Sequence, residues 1–235
     1  MCKFFSLVSK GDGVPMYFNW DIRQKILNKE LNYESADSHT SIADYYGFKG
    51  EMEDKLNKYE FNPLTKRFIV DQINTFYDRD TIERFCMTLN FATIVPQLII
   101  KPIINPLKDF FVEKVTKEDL VLLKQWDSVM DSVMDSVRDS IGDSARDSVW
   151  DSVWDFIWNS VRNSVYGYTS SFFQIKKWEY INHNENENPF QSGITLWGKG
   201  IVPSFDGTNW RLHGHKGKTI WYGTIENVEK FISEN

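Results

Sequence analysis

The feature that most constrains this chain is a run of ten consecutive four-residue repeats. From Asp127 to Tyr166 it reads DSVM-DSVM-DSVR-DSIG-DSAR-DSVW-DSVW-DFIW-NSVR-NSVY. Successive residues of an α-helix turn by about 100°, so a four-residue period drifts by about 40° per repeat. Over the whole run the valines pass around the full circumference of a helix. A straight helix with one fixed buried face is therefore excluded, and a partner that follows the valines would wind in the right-handed sense.

The repeat pattern favours helix over strand. In a strand, Asp and Val would share one face while Ser and the fourth residue shared the other, so neither face would be apolar. A strand over the whole repeat would also be far longer than strands normally are. The sequence predicts mainly helix over 117–166, and Thr116 and Asp119 have the spacing of a capping box at its start. Two arrangements stay open: one long helix, or a helical hairpin that breaks at Gly142.

The regions on both sides of the repeat predict an α+β fold. We expect an N-terminal α+β domain over 1–115, a repeat helical segment over 116–171 and a β-weighted C-terminal region over 172–235. The N-terminal pattern predicts a hairpin around KGDG, a helix capped by Asp21, a helix over HTSIADYYG capped by Ser38 or Asp37, and two strands around NPLT. A helix over 79–90 and an extended, proline-bearing strap over 94–107 follow. The C-terminal part begins with the β-weighted stretch FFQIKKWEYI. The pattern then predicts a strand, a turn and a strand over VPSF-DGTN-WRLH, and a third strand over KTIWYGTI. A short helix closes the chain.

The composition of the chain limits the kinds of partner and the cellular compartments that suit it. The net charge of −6 disfavours a nucleic-acid partner, because such binding depends on Lys and Arg against phosphates. With only two cysteines, Cys2 and Cys86, the chain suits a reducing compartment. The N-terminus lacks the apolar core of a signal peptide, and the most apolar stretch, 91–107, is broken by Gln97, Lys101 and prolines. We therefore expect a cytoplasmic protein that does not cross a membrane.

Several segments together resemble an uncharacterised family of tailed-phage proteins. They are the DSVW-type repeats and the stretches MCKFFSLVSKGDG, DSHTSIADYYG, NKYEFNPLTKRF and VPSFDGTNWRLHG. Family members differ in the number of repeats and often have Ala where this chain has Asp, which favours helix. The resemblance implies a phage accessory protein that acts in the host cytoplasm, and it brings no activity with it.

Cys2 is the candidate nucleophile if the protein is an enzyme. Removal of Met1 would place its thiol beside the α-amino group, which can serve as the base. The start of the chain is similar to amidotransferases of the N-terminal-nucleophile class, but the glycine-rich continuation of that class is missing. His39 could assist Cys2, although nothing in the sequence brings the two together. The alternative interpretations are a buried structural cysteine and a surface or capping histidine.

Other candidate sites have weaker patterns. His213 and His215 lack a neighbouring cluster with ligand spacing, so we predict no metal and no cofactor. Gly11 and Gly13 lack the helix that follows a phosphate-binding loop. Trp210 and Arg211, together with the basic stretch KTIWYG, could hold an aromatic or phosphate ligand. The alternative is a β-core with charges at its rim.

The repeat itself is the main candidate for partner binding. It holds eight Asp, three Arg and no Lys, so it supplies most of the acidity of the chain. Trp150, Trp154 and Trp158 recur every four residues, with Arg146 and Arg162 on either side, a pattern suited to partner recognition. Packing within the chain explains the pattern equally well.

From these patterns the sequence predicts a non-enzymatic binding protein. It would bind a host or phage protein, a small molecule or a second copy of itself. The resemblance to phage accessory proteins further implies that it could counteract host defence by holding a host protein or a small nucleotide signal. An amidase or transferase that uses Cys2 is the alternative.

Overall fold

The structure is a computed structural model that describes residues 5–33, 35–141 and 161–234. By contacts these residues divide into an N-terminal unit that ends at Lys101 and a C-terminal unit that begins at Pro102. Each unit contains one three-stranded antiparallel sheet with helices around it, so the α+β prediction is confirmed. The predicted domain ranges stay predictions, because a division by contacts does not show which parts fold on their own. No helix among the described residues is both long and apolar enough to cross a bilayer.

The N-terminal unit is built around strands β1 to β3. Its elements in chain order are β1 (Phe5–Ser9), α1 (Trp20–Leu27), α2 (His39–Tyr45), a 3-10 turn (Gly50–Lys55), β2 (Asn57–Asn62), β3 (Arg67–Gln72), α3 (Arg79–Thr88) and a 3-10 turn (Phe91–Thr93). The predicted strand pair around NPLT and the predicted helix over 79–90 are confirmed as β2–β3 and α3.

The predicted hairpin around KGDG is wrong. β1 pairs with β2, with Phe5 opposite Phe61, whereas the segment after KGDG contributes one isolated bridge between Val8 and Met16. Pro15 has no N–H to donate, which weakens that segment as a strand. The chain then enters α1, whose N-cap is Asn19 and not the predicted Asp21: the Asn19 side chain accepts the Ile22 N–H at 3.1 Å. The predicted Ser38 cap of α2 is confirmed.

A buried ion pair ties α1 to the sheet of the N-terminal unit. Arg23 and Asp37 are 7% and 2% exposed. The Arg23 guanidinium contacts both carboxylate oxygens, and its Nε donates to the Phe18 carbonyl at 2.9 Å. Ser6 of β1 donates its hydroxyl to the Asp37 carbonyl at 2.7 Å. Both charges therefore have buried partners, which such a pair requires.

The C-terminal unit places its helices against one sheet. Its elements are α4 (Pro106–Asp109), α5 (Lys117–Asp127), α6 (Met130–Ile141), α7 (Arg162–Ser170), α8 (Gln191–Gly198), β4 (Val202–Phe205), β5 (Trp210–His213), a 3-10 turn (His215–Gly217), β6 (Thr219–Gly223) and α9 (Ile225–Glu234). The capping box of Thr116 and Asp119, the three strands and the closing helix are confirmed.

One C-terminal element was not predicted. Helix α8 lies in the region that the sequence described only as β-weighted, and the stretch FFQIKKWEYI before it contains no strand. The segment QSGITLWG has weak helix propensity, since it contains Gly, Thr and Ile. Its Leu196 and Trp197 are fully buried in the core of the unit, and this burial outweighs the propensity.

The two described ends of the repeat, α6 and α7, lie side by side. The Met130 sulfur is 2.7 Å from the Asn163 amide nitrogen. A continuous helix between these residues would hold them about 50 Å apart. One straight helix through the repeat is therefore wrong. The possible hairpin break at Gly142 falls within 142–160, outside the described residues.

The described repeats belong to the core of the C-terminal unit. Val133 and Val137 are fully buried, and over so few repeats the drift still leaves them on one face of α6. The repeat's polar residues bond to the rest of the unit: Ser136 to the Glu179 carbonyl and Asp139 to the Tyr180 hydroxyl, at 2.6 Å for the latter. For this part of the repeat, packing within the chain is the confirmed explanation.

Candidate functional site

Four polar side chains share one face of the C-terminal sheet. Ser204 lies opposite Arg211 in the β4–β5 register, and Arg211 lies opposite Tyr222 in the β5–β6 register. His213 projects to the same side as Arg211, because alternate residues of a strand share a face. We call Ser204, Arg211, His213 and Tyr222 the outer face. The intervening Trp210 and Leu212 are buried on the side that contributes to the hydrophobic core.

Arg211 is held at the centre of the outer face by an acid and an aromatic ring. Its Nη1 lies 2.7 Å from an Asp206 carboxylate oxygen, and its guanidinium carbon lies 5.1 Å from the centre of the Tyr222 ring. Tyr222 is 56% exposed. A cation over an aromatic face is attracted by the ring quadrupole. The arrangement combines a directed cation with an accessible ring.

Asp206 is itself fixed by the turn between β4 and β5. Its carboxylate accepts the backbone N–H groups of Asn209 at 2.8 Å and of Thr208 at 3.1 Å. These two hydrogen bonds, with a further contribution from Arg211, lower the pKa of the Asp206 carboxyl. Gly207 has a φ of +96°, which suits glycine at this position. The DGTN sequence therefore forms a turn that presents Asp206 as an anion to Arg211.

Ser204 and His213 form a directed hydrogen-bonded pair. The Ser204 Oγ lies 2.8 Å from His213 Nε2, and His213 Nδ1 lies 3.2 Å from the Gly217 carbonyl oxygen. A carbonyl only accepts, so Nδ1 carries the proton and Nε2 accepts from the serine hydroxyl. Burial lowers the pKa of His213, more than the Gly217 hydrogen bond raises it. The imidazole is therefore neutral near pH 7 and oriented as a proton acceptor.

A short turn places the Gly217 carbonyl. The 3-10 turn His215–Gly217 contains Lys216 at φ 56° and Gly217 at φ 75°. The Gly214 N–H closes the loop by donating to the Lys218 carbonyl at 2.9 Å, and His215 Nδ1 donates to the Phe110 carbonyl at 2.9 Å. The sequence HGHKGK thus bends back to orient His213.

The structure places only some of the predicted ligand-binding residues at a surface. Arg211 is at the outer face, but Trp210 is only 2% exposed and its indole N–H donates to Asp127 at 2.8 Å. For Trp210 this placement matches the alternative of a β-core. Arg162 is exposed, with its guanidinium carbon 5.9 Å from the centre of the Tyr166 ring. Four further predicted residues, Arg146, Trp150, Trp154 and Trp158, lie outside the described residues.

The predicted enzyme pair is described only in part. His39 is 5% exposed, and its Nε2 donates to the Tyr59 carbonyl at 3.0 Å. The alternative of a surface histidine is therefore wrong. Cys2 lies outside the described residues, so its pairing with His39 stays a hypothesis. No group of three His, Cys, Asp or Glu side chains in the described ranges could hold a metal ion.

Sequence reasoning missed Ser204 and Asp206 as site residues, included Tyr222 only as part of the stretch KTIWYG, and considered His213 only as a metal ligand. The available signal was the alternation in WRLH on one side of the DGTN turn. A turn of that kind sets the register of its two strands, which would have placed Ser204 beside Arg211 and His213.

Comparisons of the chain with protein-family models, with curated proteins and with solved structures found no match.

Proposed function

We propose that this protein is a binding protein that holds a small anionic, aromatic ligand on the outer face of its C-terminal sheet. The observation that carries the proposal is the Arg211 guanidinium, positioned by Asp206 over the exposed ring of Tyr222. A guanidinium has five N–H donors in a planar fork that matches phosphate oxygens, so one carboxylate contact does not exhaust it. The exposed tyrosine offers a surface on which a base can stack.

The charge of the chain favours a small ligand over a long polyanion. The net charge of −6 opposes accumulation along nucleic acid, whose binding grows with the number of phosphates neutralised. A single nucleotide needs only one or two local cations. As a phage accessory protein in the host cytoplasm, which the resemblance suggests, it would counteract host defence by sequestering a nucleotide signal.

The test is calorimetric titration of the full chain with ADP, cyclic di-AMP and inorganic phosphate. We expect a nucleotide to bind and Arg211→Gln to weaken that binding at least about tenfold, about 1.4 kcal/mol. Arg79→Gln is the matched control, because Arg79 also pairs with an aspartate and lies 5.9 Å from the Phe68 ring centre, in the N-terminal unit. Absence of binding, or equal losses in both variants, would reject the proposal.

A second candidate function is protein binding or self-association through the central repeats. It is favoured by the contact between α6 and α7, which places the two described ends of the repeat side by side in one unit. Replacement of Trp150, Trp154 and Trp158 with Ala should then abolish a dimer or a partner complex without unfolding the protein. If these residues form an internal core, the same variant should lose several kcal/mol per site. Size exclusion with thermal melts separates the two outcomes.

The enzyme alternative through Cys2 has its own test. Intact mass reports whether Met1 is removed, and a thiol probe reports whether Cys2 reacts. Retained Met1 or an inert thiol would remove this alternative.

A further inference from the structure

We propose that Ser204 and His213 form a nucleophile–base pair that cleaves small carboxylic esters. This reactivity goes beyond ligand binding, since it adds a covalent step on the outer face. The Ser204 Oγ and His213 Nε2 are 2.8 Å apart, within the range of a nucleophile and its general base. The Gly217 carbonyl, 3.2 Å from Nδ1, supplies the third group that orients the base. The same logic of roles recurs on unrelated folds.

The placement of the pair differs from that of nearby buried serines. Ser164 donates to the Pro203 carbonyl at 2.6 Å, and Ser170 donates to the Gly167 carbonyl at 2.6 Å. A carbonyl cannot take a proton from a hydroxyl, so those contacts are structural. Ser204 instead faces an imidazole nitrogen whose lone pair points at the hydroxyl. Its proton therefore has an acceptor of suitable basicity.

The exposure of the two residues defines the side from which a substrate approaches. Ser204 is 5% exposed, and Val202, which lies opposite His213, is fully buried. His213 and Arg211 are partly exposed. An ester would therefore have to approach Ser204 from the side of His213 and Arg211, which are the partly exposed residues of this face. Such a half-closed position limits water around the nucleophile, which strengthens hydrogen bonds there.

The reaction balances with water as the only co-reactant. The Ser204 Oγ attacks the ester carbonyl carbon while its proton passes to His213 Nε2. The bond from that carbon to the leaving oxygen breaks, and His213 returns the proton to the departing alcohol. Water then attacks the acyl-serine, His213 takes a proton from it, and the proton returns to Ser204 as the carboxylic acid leaves.

Arg211 selects the class of ester. It lies directly opposite Ser204 across the β4–β5 pair, so a carboxylate or phosphate on the substrate would meet the guanidinium while the ester meets the serine. We therefore expect anionic esters to react faster than neutral ones. This preference rests on the proposed binding function of Arg211, whereas the nucleophile–base pair does not.

A fluorophosphonate probe tests the nucleophile on the full chain. The serine oxygen displaces fluoride from phosphorus, which leaves a stable adduct that intact mass and peptide mapping locate. We expect one adduct, on Ser204, in the wild-type protein. His213→Gln should slow the labelling about 100-fold, the usual contribution of a general base. Ser170→Ala is the matched control, because Ser170 is also buried in this unit, and it should label at the wild-type rate.

Ester turnover gives the second measurement. Wild-type protein should hydrolyse 4-nitrophenyl hemisuccinate faster than 4-nitrophenyl acetate, and Ser204→Ala should abolish both reactions. Arg211→Gln should remove the preference for the anionic ester. Peptide mapping locates the adduct in the wild-type protein itself, so this result does not depend on whether a variant folds. No adduct, an adduct on another residue, or equal labelling in His213→Gln would overturn the assignment. A wild-type protein that hydrolyses the anionic and the neutral ester at the same rate would count against only the role of Arg211.

Discussion

The two sheets have the same number of strands but differ in how far the residues of their strands are buried. In the N-terminal sheet every residue of β1 is buried, and so are five of the six residues of β2. In the C-terminal sheet burial alternates along β5, with Trp210 and Leu212 inside and Arg211 and His213 partly exposed. A strand that is covered on both faces leaves no surface for a ligand. Of the two central strands, β2 is buried over five residues and β5 presents Arg211 and His213 at a surface, whereas the exposed β3 is an edge strand of the N-terminal sheet.

Polar groups in the N-terminal sheet have fixed internal partners. Asn57 donates to the Phe76 carbonyl at 2.7 Å and accepts the Asn74 N–H at 2.9 Å. Asp78 accepts the Ser9 hydroxyl at 2.6 Å and the Gly13 N–H at 3.0 Å. These contacts hold turns against strand ends, and removing one partner would leave a buried group unsatisfied. Similar substitutions in the two sheets should therefore lower the free energy of unfolding by different amounts.

The largest expected effect comes from breaking the buried ion pair of the N-terminal unit. Arg23→Met leaves the Asp37 carboxylate buried without its cation, which should lower the free energy of unfolding by about 3–5 kcal/mol. Arg211→Met is the matched substitution on the C-terminal sheet, where the Asp206 partner is 35% exposed. It should cost about 1 kcal/mol or less. Urea unfolding measures both, and equal losses would show that the contrast between the sheets is wrong.

The next effect tests the packing behind the C-terminal sheet. A Cβ atom at Gly193 of α8 would lie 2.5 Å from Cε3 of the fully buried Trp126, and one at Gly198 of the same helix would meet no atom within 4 Å. Gly193→Ala should therefore cost about 1–3 kcal/mol through overpacking. Gly198→Ala should leave stability unchanged or raise it by less than about 1 kcal/mol. Thermal melts compare the two, and a neutral Gly193→Ala would mean that the helices can move apart cheaply.

Local signals predicted much of the fold. The capping box at Thr116, the Ser38 cap and the β2–β3 turn all depend on residues within a few positions of one another, and each was confirmed. The β1–β2 pairing joins residues about fifty positions apart, and nothing local to β1 specifies it. Helix α8 exists because its core residues are buried, against its propensity.

The candidate site shows the same limit. Arg211 was predicted from composition around it, but the pairing of Ser204 with His213 follows from a diagonal contact across two strands. Such a contact depends on register, and the DGTN turn between the two predicted strands was the signal that could have set that register. Trp210 was misassigned because an aromatic residue next to an arginine suggests a ligand site equally well whether it points inward or outward.

The smallest expected effect is a difference in acid sensitivity between the sheets. Burial lowers the pKa of His213 below its ordinary value of 6.5. A group with a depressed pKa in the folded state contributes stability above its unfolded pKa, and that contribution is lost as the pH falls. For Asp78, burial would raise the pKa of the carboxyl, but hydrogen bonds from Ser9, Tyr59 and Asn57 outweigh it and hold the pKa below 3.8. The contribution of the Asp78 carboxylate to stability is therefore lost only when the pH falls through this lowered pKa.

Between pH 7 and pH 5, therefore, acid should weaken the C-terminal unit through His213, while Asp78 keeps its charge in the N-terminal unit. Of the six tryptophans among the described residues, five lie in the C-terminal unit, so their fluorescence in urea reports mainly on that unit: Trp126, Trp178, Trp197, Trp210 and Trp221. We expect its unfolding midpoint to fall modestly across this pH interval in the wild-type protein and to change less in His213→Gln. Asp78→Asn should keep the wild-type pH dependence there, because Asp78 does not titrate in that interval. If His213→Gln has the same slope as the wild-type protein, the imidazole is not the group that acid protonates, and the neutral, proton-accepting state assigned to it on the outer face is wrong.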